Sequence, residues 1–270
     1  MISGLEIIRP ISKTINIKRI LFDFDGTIST FRQGWESIME PLMLDMISGS
    51  IEPDEKLINE VKDYINESTG IQTIYQMKWL REKVKEYGLN EEIRNIWEYK
   101  KEYNKRLLEM VNSRINDVIK GKKAPDDFLI KGSYKFLSKL KEEGFPLYVF
   151  SGTDQPDVIN EAKILGVEHF FNGIVGAPVD KVADSKKAVI KHLLNEKKLL
   201  GSELFIIGDG KVEISLGAEK GAITLGMATN ETLREGINPQ KRKRLIEAGA
   251  NAITGDFKNH QKLLEWLNIH

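Results

Sequence analysis

The first strong pattern along the chain is a short apolar run, residues 19–24, that ends in acidic residues and Gly26. A run of this length before a turn signal predicts a strand buried on both faces, as in parallel sheets. From residue 33 to about 121 the pattern changes, and apolar residues recur at three- and four-residue spacings among many charges. This spacing is typical of amphipathic helices. We therefore expect a separate helical module in this stretch.

Start and stop signals divide the helical module into candidate helices. Pro53 precedes the second, Gly88 stops the third and Gly121 stops the last. The predicted helices cover residues 33–48, 54–67, 71–87 and 91–120, the last being one helix or two.

Beyond residue 126, short apolar runs alternate with amphipathic segments. Predicted strands cover residues 146–151, 173–176, 204–208, 222–226 and 252–254. Predicted helices cover residues 126–143, 156–165, 185–194, 212–220, 239–248 and 258–267. This alternation implies βαβ units and a doubly wound parallel sheet, an α/β fold. We predict an α/β core from residues 1–30 and 122–270, interrupted by an all-α domain at 31–121; residues 1–17 are either an extra strand or a flexible arm.

Composition narrows the function classes. The chain has 270 residues, which favours one core domain with a smaller companion. Forty basic and forty acidic residues cancel, which argues against a dedicated nucleic-acid binder. The absence of cysteine excludes disulfides, zinc thiolates and thiol catalysis. The first residues lack a secretory apolar region and no stretch reaches the length of a membrane span, so we expect a cytoplasmic protein without a membrane partner.

Polar residues follow three predicted strands, where ligands of doubly wound sheets bind. Asp23, Asp25 and Thr27 follow the first strand, Ser151-Gly152-Thr153 another, and Asp209 and Glu213 a third. Lys186 lies near the start of the helix before that third strand. Clustered carboxylates prefer a hard cation, which favours Mg²⁺ over zinc. Ser151, its neighbouring amides and Lys186 are suited to hold phosphate oxygens.

Each of these signals has an ordinary explanation when taken alone. Aspartates after a strand are often turn residues, Ser-Gly is a common turn, and a lysine in a helix is usually solvated. Phe205 and Val212 break the Walker phosphate-loop pattern around Gly208. The four histidines show no ligand spacing. We interpret the basic run at residues 241–244 as a solvated helix face.

Taken together, the motifs resemble the haloacid dehalogenase superfamily. The segment 20–27, Ile-Leu-Phe-Asp-Phe-Asp-Gly-Thr, matches its hhhDxDGT motif, and Ser151 and Lys186 match its second and third motifs. Residues 208–213 match GDxxxD, with Glu213 replacing the second aspartate. Lys187 and Lys181 are alternatives for the lysine. The resemblance implies a Rossmann-like core, and it implies that the helical insertion is a cap domain, as in phosphoglycolate-phosphatase-like members.

The resemblance also implies residue roles. Asp23 would attack phosphorus and form an aspartyl-phosphate, and Asp25 would act as general acid and base, positioned by Thr27. Ser151, Gly152 and Lys186 would bind phosphate. The Mg²⁺ ligands would be Asp23, the Asp25 carbonyl, Asp209 and Glu213.

The second acid narrows the reaction. An aspartate at position 25 favours a phosphate-oxygen leaving group that needs a proton. We therefore expect a phosphatase acting on a small phosphate ester, of phosphoglycolate or sugar-phosphate type. A sugar phosphomutase and a non-catalytic binding module remain alternatives. Arg32, at the entry to the helical insertion, is the foremost candidate substrate contact, with Gln33, Gln72 and Lys78 as further ones.

Overall fold

The computed structural model describes residues 4–12, 15–182, 185–195 and 198–269. Its contacts divide the chain into two compact units. One unit comprises Met1–Gln33 and Ile115–His270, and the other comprises Gly34–Arg114. The joints between the two units lie at 33/34 and 114/115.

The described part of the first unit holds a seven-stranded sheet. Its strands are β1 (Glu6–Ile7), β2 (Arg19–Phe22), β3 (Leu147–Asp154), β4 (Gly173–Ala177), β5 (Leu204–Gly208), β6 (Ile223–Met227) and β7 (Ala252–Thr254). Their order in space is β1-β7-β6-β5-β2-β3-β4. All pairings are parallel except that of β1 with β7. The predicted α/β fold is confirmed, and part of the amino-terminal segment joins the sheet as an edge strand.

Strand β2 lies at the point where the winding of the sheet reverses. The chain continues from β2 to β3 and β4 on one side, and then crosses to β5, β6 and β7 on the other. Residues 20–22 of β2 are apolar and fully buried, as expected for a central strand that pairs in parallel with both neighbours. In such sheets the crevice beyond the carboxyl ends of the strands at the reversal is the usual ligand site.

Helices accompany the strands much as predicted. They are α5 (Ser133–Glu142), α6 (Gln155–Ile164), α7 (Ser185–Asn195), α8 (Lys211–Glu219), α9 (Pro239–Glu247) and α10 (His260–Trp266). The prediction of one helix over residues 126–143 is wrong, since a 3-10 turn at Pro125–Phe128 is separated from α5. Gly132 separates them with a left-handed φ of 85°. A Cβ there would lie 2.4 Å from the carbonyl carbon of Phe257, so this approach requires glycine.

The second unit is helical, and the last residues of its final helix, 115–119, belong to the first unit. Its helices are α1 (Glu36–Ser48), α2 (Glu55–Glu67), α3 (Thr73–Tyr87) and α4 (Ile96–Ile119). Helix α1 packs on α2 and α3. Asp54 caps α2 by accepting from the Leu57 amide at 2.8 Å. The buried face of α4 repeats every four residues, at Tyr99, Tyr103, Leu107, Val111 and Ile115.

Among the described residues, none of the helices has the length and apolar character needed to cross a bilayer.

Candidate active site at the sheet reversal

The loop after β2 brings Asp23 and Asp25 to the carboxyl edge of the sheet. The Asp23 amide still donates to the Ile207 carbonyl at 2.8 Å, so strand pairing continues to that residue. The chain then turns sharply, and the amides of Ile28 and Ser29 both donate to the Phe24 carbonyl. Asp23 is only 4% exposed. The strand therefore delivers a buried carboxylate at its end.

Lys186 reaches Asp23 from α7. Lys186, Ile190 and Leu193 share one helix face by their spacing, and the two apolar residues pack in a cluster with Leu21 of β2 and Ile206 of β5. This packing fixes the helix, so that Lys186 Nζ lies 3.0 Å from Asp23 Oδ1. Burial raises the pKa of Asp23 well above its ordinary value, and the Lys186 ammonium only partly offsets that effect.

Glu213 on α8 is the second partner of Lys186. Lys186 Nζ lies 2.8 Å from Glu213 Oε2, and the Gly210 amide donates to Glu213 Oε1 at 2.6 Å. Glu213 is fully buried. A Cβ at Gly208 would lie 2.4 Å from Glu213 Cγ, so this glycine makes room for the carboxylate. Burial would lower the pKa of Lys186, but the two adjacent carboxylates raise it above its ordinary value.

Three carboxylates form a group that could hold a metal ion. One oxygen of each of Asp23, Asp209 and Glu213 lies within 4.8 Å of the others, and all three residues are buried. Carboxylate oxygens of this kind suit a hard divalent cation such as Mg²⁺. Gly26, with a φ of 70°, allows the two loops to approach, because a Cβ there would lie 2.3 Å from Asp209 Oδ2. The donor set therefore fits the cation expected from the sequence.

Asp25 is held by residues of two other segments. Thr153 Oγ1 donates to Asp25 Oδ2 at 2.7 Å, and Arg32 Nε lies 3.8 Å from Asp25 Oδ1. Ser151, 1% exposed, accepts from the Thr153 amide at 3.0 Å. Burial raises the pKa of Asp25, with Arg32 and Thr153 opposing the rise. The end of β3 therefore positions the second acid.

Arg32 is bound by acids of α6. Its guanidinium lies 2.6 Å from Glu161 Oε1 and 3.2 Å from Asp157 Oδ2. Burial raises the pKa of Glu161 to about 7, although Arg32 opposes the rise. The candidate substrate contact is thus held in an ion-pair cluster beside Asp25, and its contact with substrate stays a prediction.

The remaining candidate residues of the α/β unit differ in burial and in hydrogen bonding. Thr27 is fully buried, and within the described residues its hydroxyl has no hydrogen-bond partner. Gly152 is half-buried in β3. Lys181 and Lys187 are both exposed, so Lys186 is the lysine that meets Asp23. Gln33 donates to Thr232 Oγ1 at 3.0 Å.

The two candidates in the helical unit differ in exposure. Gln72 is buried just before α3, whereas Lys78 is exposed over the Tyr75 ring.

The basic run on α9 contains a residue that the sequence interpretation missed. Lys241 Nζ lies 2.6 Å from Asp209 Oδ2 and 2.5 Å from Glu231 Oε1. Burial would raise the pKa of Asp209, but Lys241, together with Arg244 and Lys186, outweighs it and holds that pKa below its ordinary value. The interpretation as a solvated face is wrong for Lys241 and right for Lys243, whose side chain is 79% exposed. The available signal was the four-residue spacing from Lys241 to the apolar Leu245.

Solved structures with the same fold share little sequence with this chain. A predicted phosphoglycolate phosphatase from Haemophilus somnus aligns with a TM-score of 0.62 at 15% identity, covering 93% of this chain and 99% of that one. A predicted phosphatase from Clostridium acetobutylicum gives 0.58 at 19% identity, covering 93% and 99%. The β-phosphoglucomutase of Clostridium difficile gives 0.57 at 17% identity, covering 93% and 97%. At these identities the likeness shows the fold alone.

Sequence comparison identifies the family. A search of curated proteins gave no significant match. The family model for haloacid dehalogenase-like hydrolases matches residues 17–221, more than half of the chain. That span includes β2, the two aspartates that follow it, Lys186 and the loop that carries Asp209. The chain belongs to the haloacid dehalogenase-like hydrolase family.

Proposed function

We propose that this chain is a Mg²⁺-dependent phosphatase that hydrolyses a small phosphorylated metabolite through a phosphorylated Asp23. The observation that carries the proposal is the pair of aspartates after β2 in different environments. Asp23 meets Lys186 at 3.0 Å, whereas Asp25 accepts from Thr153 at 2.7 Å. These environments support a role for Asp23 as a nucleophile beside a cation and for Asp25 as a proton carrier.

The first step would transfer the phosphoryl group to the chain. An Asp23 carboxylate oxygen attacks phosphorus, the bond from phosphorus to the ester oxygen breaks, and Asp25 donates its proton to that oxygen. Lys186 holds Asp23 Oδ1 and keeps the carboxylate oriented. Ser151 and the amides around Gly152 stabilise charge on the phosphoryl oxygens.

The second step would release phosphate. Asp25, now ionised, takes a proton from water as the water attacks phosphorus, and the bond from phosphorus to Asp23 breaks. Asp23 and Asp25 return to their starting states, with inorganic phosphate as product.

Mg²⁺ would be held by Asp23, Asp209, the Asp25 carbonyl and Glu213. Bound there, it would neutralise charge between an anionic nucleophile and an anionic substrate. The three buried carboxylates within 4.8 Å support this assignment.

The family and the position of the helical unit in the chain support the substrate class that we propose. Residues 34–114 leave the core after β2 and return before β3, and we propose that they act as the cap that selects the substrate. Two proteins with the same fold are a predicted phosphoglycolate phosphatase and a β-phosphoglucomutase. A small phosphate ester of one of these types is the substrate that we propose.

The proposal is tested by measuring inorganic phosphate released from a panel of phosphorylated metabolites, with Mg²⁺ and with EDTA. We expect release from at least one ester, dependent on Mg²⁺ and abolished by Asp23→Asn. Asp63→Asn, at an exposed position on α2, serves as the control. Full activity of Asp23→Asn would refute the nucleophile assignment, and an inactive panel would favour a binding module.

A phosphomutase is the second candidate, favoured by the shared fold with β-phosphoglucomutase. A mutase returns the phosphoryl group to sugar, so it isomerises sugar phosphates without net phosphate release. Chromatography of the reaction mixture beside the phosphate assay separates the two activities.

A further inference from the structure

Lys241 is a buried cation at the candidate metal group that the proposed hydrolysis does not use. It projects from the first turn of α9, where Asn238 caps the helix by accepting from the amides of Gln240 and Lys241. Leu245, one turn later, is fully buried and anchors the same face. The Lys241 side chain is only 11% exposed. The ammonium is thus held in place by the fold.

The ammonium joins two acids of different segments. It lies 2.6 Å from Asp209 Oδ2 and 2.5 Å from Glu231 Oε1. Asp209 belongs to the group that could hold a metal ion, and Glu231 does not. Lys241 therefore occupies one oxygen of a candidate metal ligand and leaves Oδ1 of the same carboxylate for another partner.

This contact changes the charge of the candidate metal group. The group contains three carboxylates, and Lys186 pairs with Asp23 and Glu213. Lys241 adds a further positive charge at the Asp209 carboxylate, beside that of Arg244, which donates to the Asp209 carbonyl at 3.2 Å. Glu231 offsets part of the Lys241 charge. A unit charge a few ångströms from a divalent cation changes its affinity by about tenfold or more.

We propose that Lys241 and Glu231 form a charge pair that sets how tightly the site holds a divalent cation. Lys241 is a positioning residue: it fixes Asp209 through Oδ2 and weakens cation binding, and Glu231 counteracts it. The inference rests on the proposed function in that the three carboxylates must bind the cation. Its consequence is a metal that exchanges readily, since its protein ligands are partly neutralised before it arrives.

The test is direct titration of the metal-free protein with Mn²⁺, read by electron paramagnetic resonance without substrate. We expect Lys241→Met to bind Mn²⁺ about tenfold more tightly and Glu231→Gln to bind it more weakly by a similar factor. The double variant should fall between them, near wild type. Lys241→Arg keeps the charge and should stay close to wild type. Lys243→Met, at an exposed position of the same helix, is the matched control.

The outcomes separate this inference from the proposed function. No Mn²⁺ binding by wild type, or binding that survives Asp209→Asn, contradicts the proposed metal site itself. Binding by wild type together with weaker or unchanged affinity in Lys241→Met overturns the inference alone. Thermal unfolding in EDTA checks the fold of every variant. If Lys241→Met does not fold, Glu231→Gln still decides, because an unchanged affinity there also overturns the inference.

Discussion

Lys186 is only 2% exposed and its Nζ lies 3.0 Å from Asp23 Oδ1, so a buried lysine and a buried aspartate form an ion pair at the end of β2. The same ammonium meets Glu213 at 2.8 Å. Removing it leaves two carboxylates buried without a cation, which is costly in a protein interior.

We therefore expect Lys186→Met to lower the free energy of unfolding by about 3–5 kcal/mol in EDTA. The loss should shrink with Mg²⁺, because the ion supplies positive charge at the same carboxylates. Chemical denaturation with and without Mg²⁺ measures both values. Lys187→Met, at an exposed neighbouring position, should change the free energy of unfolding by no more than about 0.5 kcal/mol. An equal loss in both variants would contradict the role of the pair.

Asp25→Asn removes the proposed proton carrier but leaves the nucleophile. With p-nitrophenyl phosphate as substrate, the leaving group p-nitrophenolate needs no proton, so we expect a burst of p-nitrophenol followed by turnover slowed about 10²–10⁴-fold. The phosphorylated chain should accumulate and appear as one added phosphoryl group in the intact mass. Stopped-flow absorbance and mass spectrometry check these outcomes.

Thr153→Val is a milder change at the same site than Asp25→Asn. It removes the donor to Asp25 Oδ2 but keeps the acid, so turnover should fall less and no phosphorylated chain should accumulate. Accumulation in Thr153→Val but not in Asp25→Asn would contradict the assignment.

Glu161 predicts a pH dependence of stability. Burial raises its pKa to about 7, above the ordinary value of 4.5. The folded state therefore holds the proton more tightly than the unfolded state does. The stability contributed in this way is full below about pH 4.5 and is lost as pH rises to about 7.

Relative to Glu161→Gln, the wild-type free energy of unfolding should fall by about 3 kcal/mol across that window. The comparison uses the pH slope, since the substitution also alters the contact with Arg32. Glu142→Gln, at an exposed position on α5, should follow the wild-type slope. Parallel slopes for wild type and Glu161→Gln would count against the raised pKa.

Gly26→Ala tests the approach of the two loops. Its φ of 70° and the 2.3 Å distance from a Cβ to Asp209 Oδ2 combine backbone strain with displacement of a candidate ligand. We expect a loss of about 1–2 kcal/mol from the strain, and weakened Mn²⁺ binding besides. Gly88→Ala, with a φ of 61° and open space around its Cβ, should show the strain and no change in Mn²⁺ binding. Equal Mn²⁺ affinities in the two variants would contradict this geometry.

Sequence patterns predicted most of the fold because its elements are locally specified. The apolar runs of β5 and β6 and the four-residue spacing along α4 carry their own signals. The break before α5 carries no local signal. Glycine is required at position 132 because the backbone of Phe257, far along the chain, lies against it.

The candidate site was predictable where a strand end fixes a side chain, as for Asp23 and Asp209. The site was less predictable where the packing of distant segments determines which residue a side chain contacts. Arg32 meets Glu161 only because α6 lies beside the β2 loop, and no local pattern indicates that pairing. Lys241 lies in a run with three other basic residues. Only its four-residue spacing from Leu245 indicated that it faces the core.

The position of β2 in the sheet has a consequence for the order of synthesis. Ile20 pairs with Leu147 on one side and Phe205 on the other, so both neighbours of the central strand leave the ribosome long after it. Residues 34–114, by contrast, are synthesised before either neighbour of β2. We expect the helical unit to fold during synthesis, at a time when β2 has no partner strand. The two aspartates would then meet Lys186 and Asp209 only once the last third of the chain has emerged.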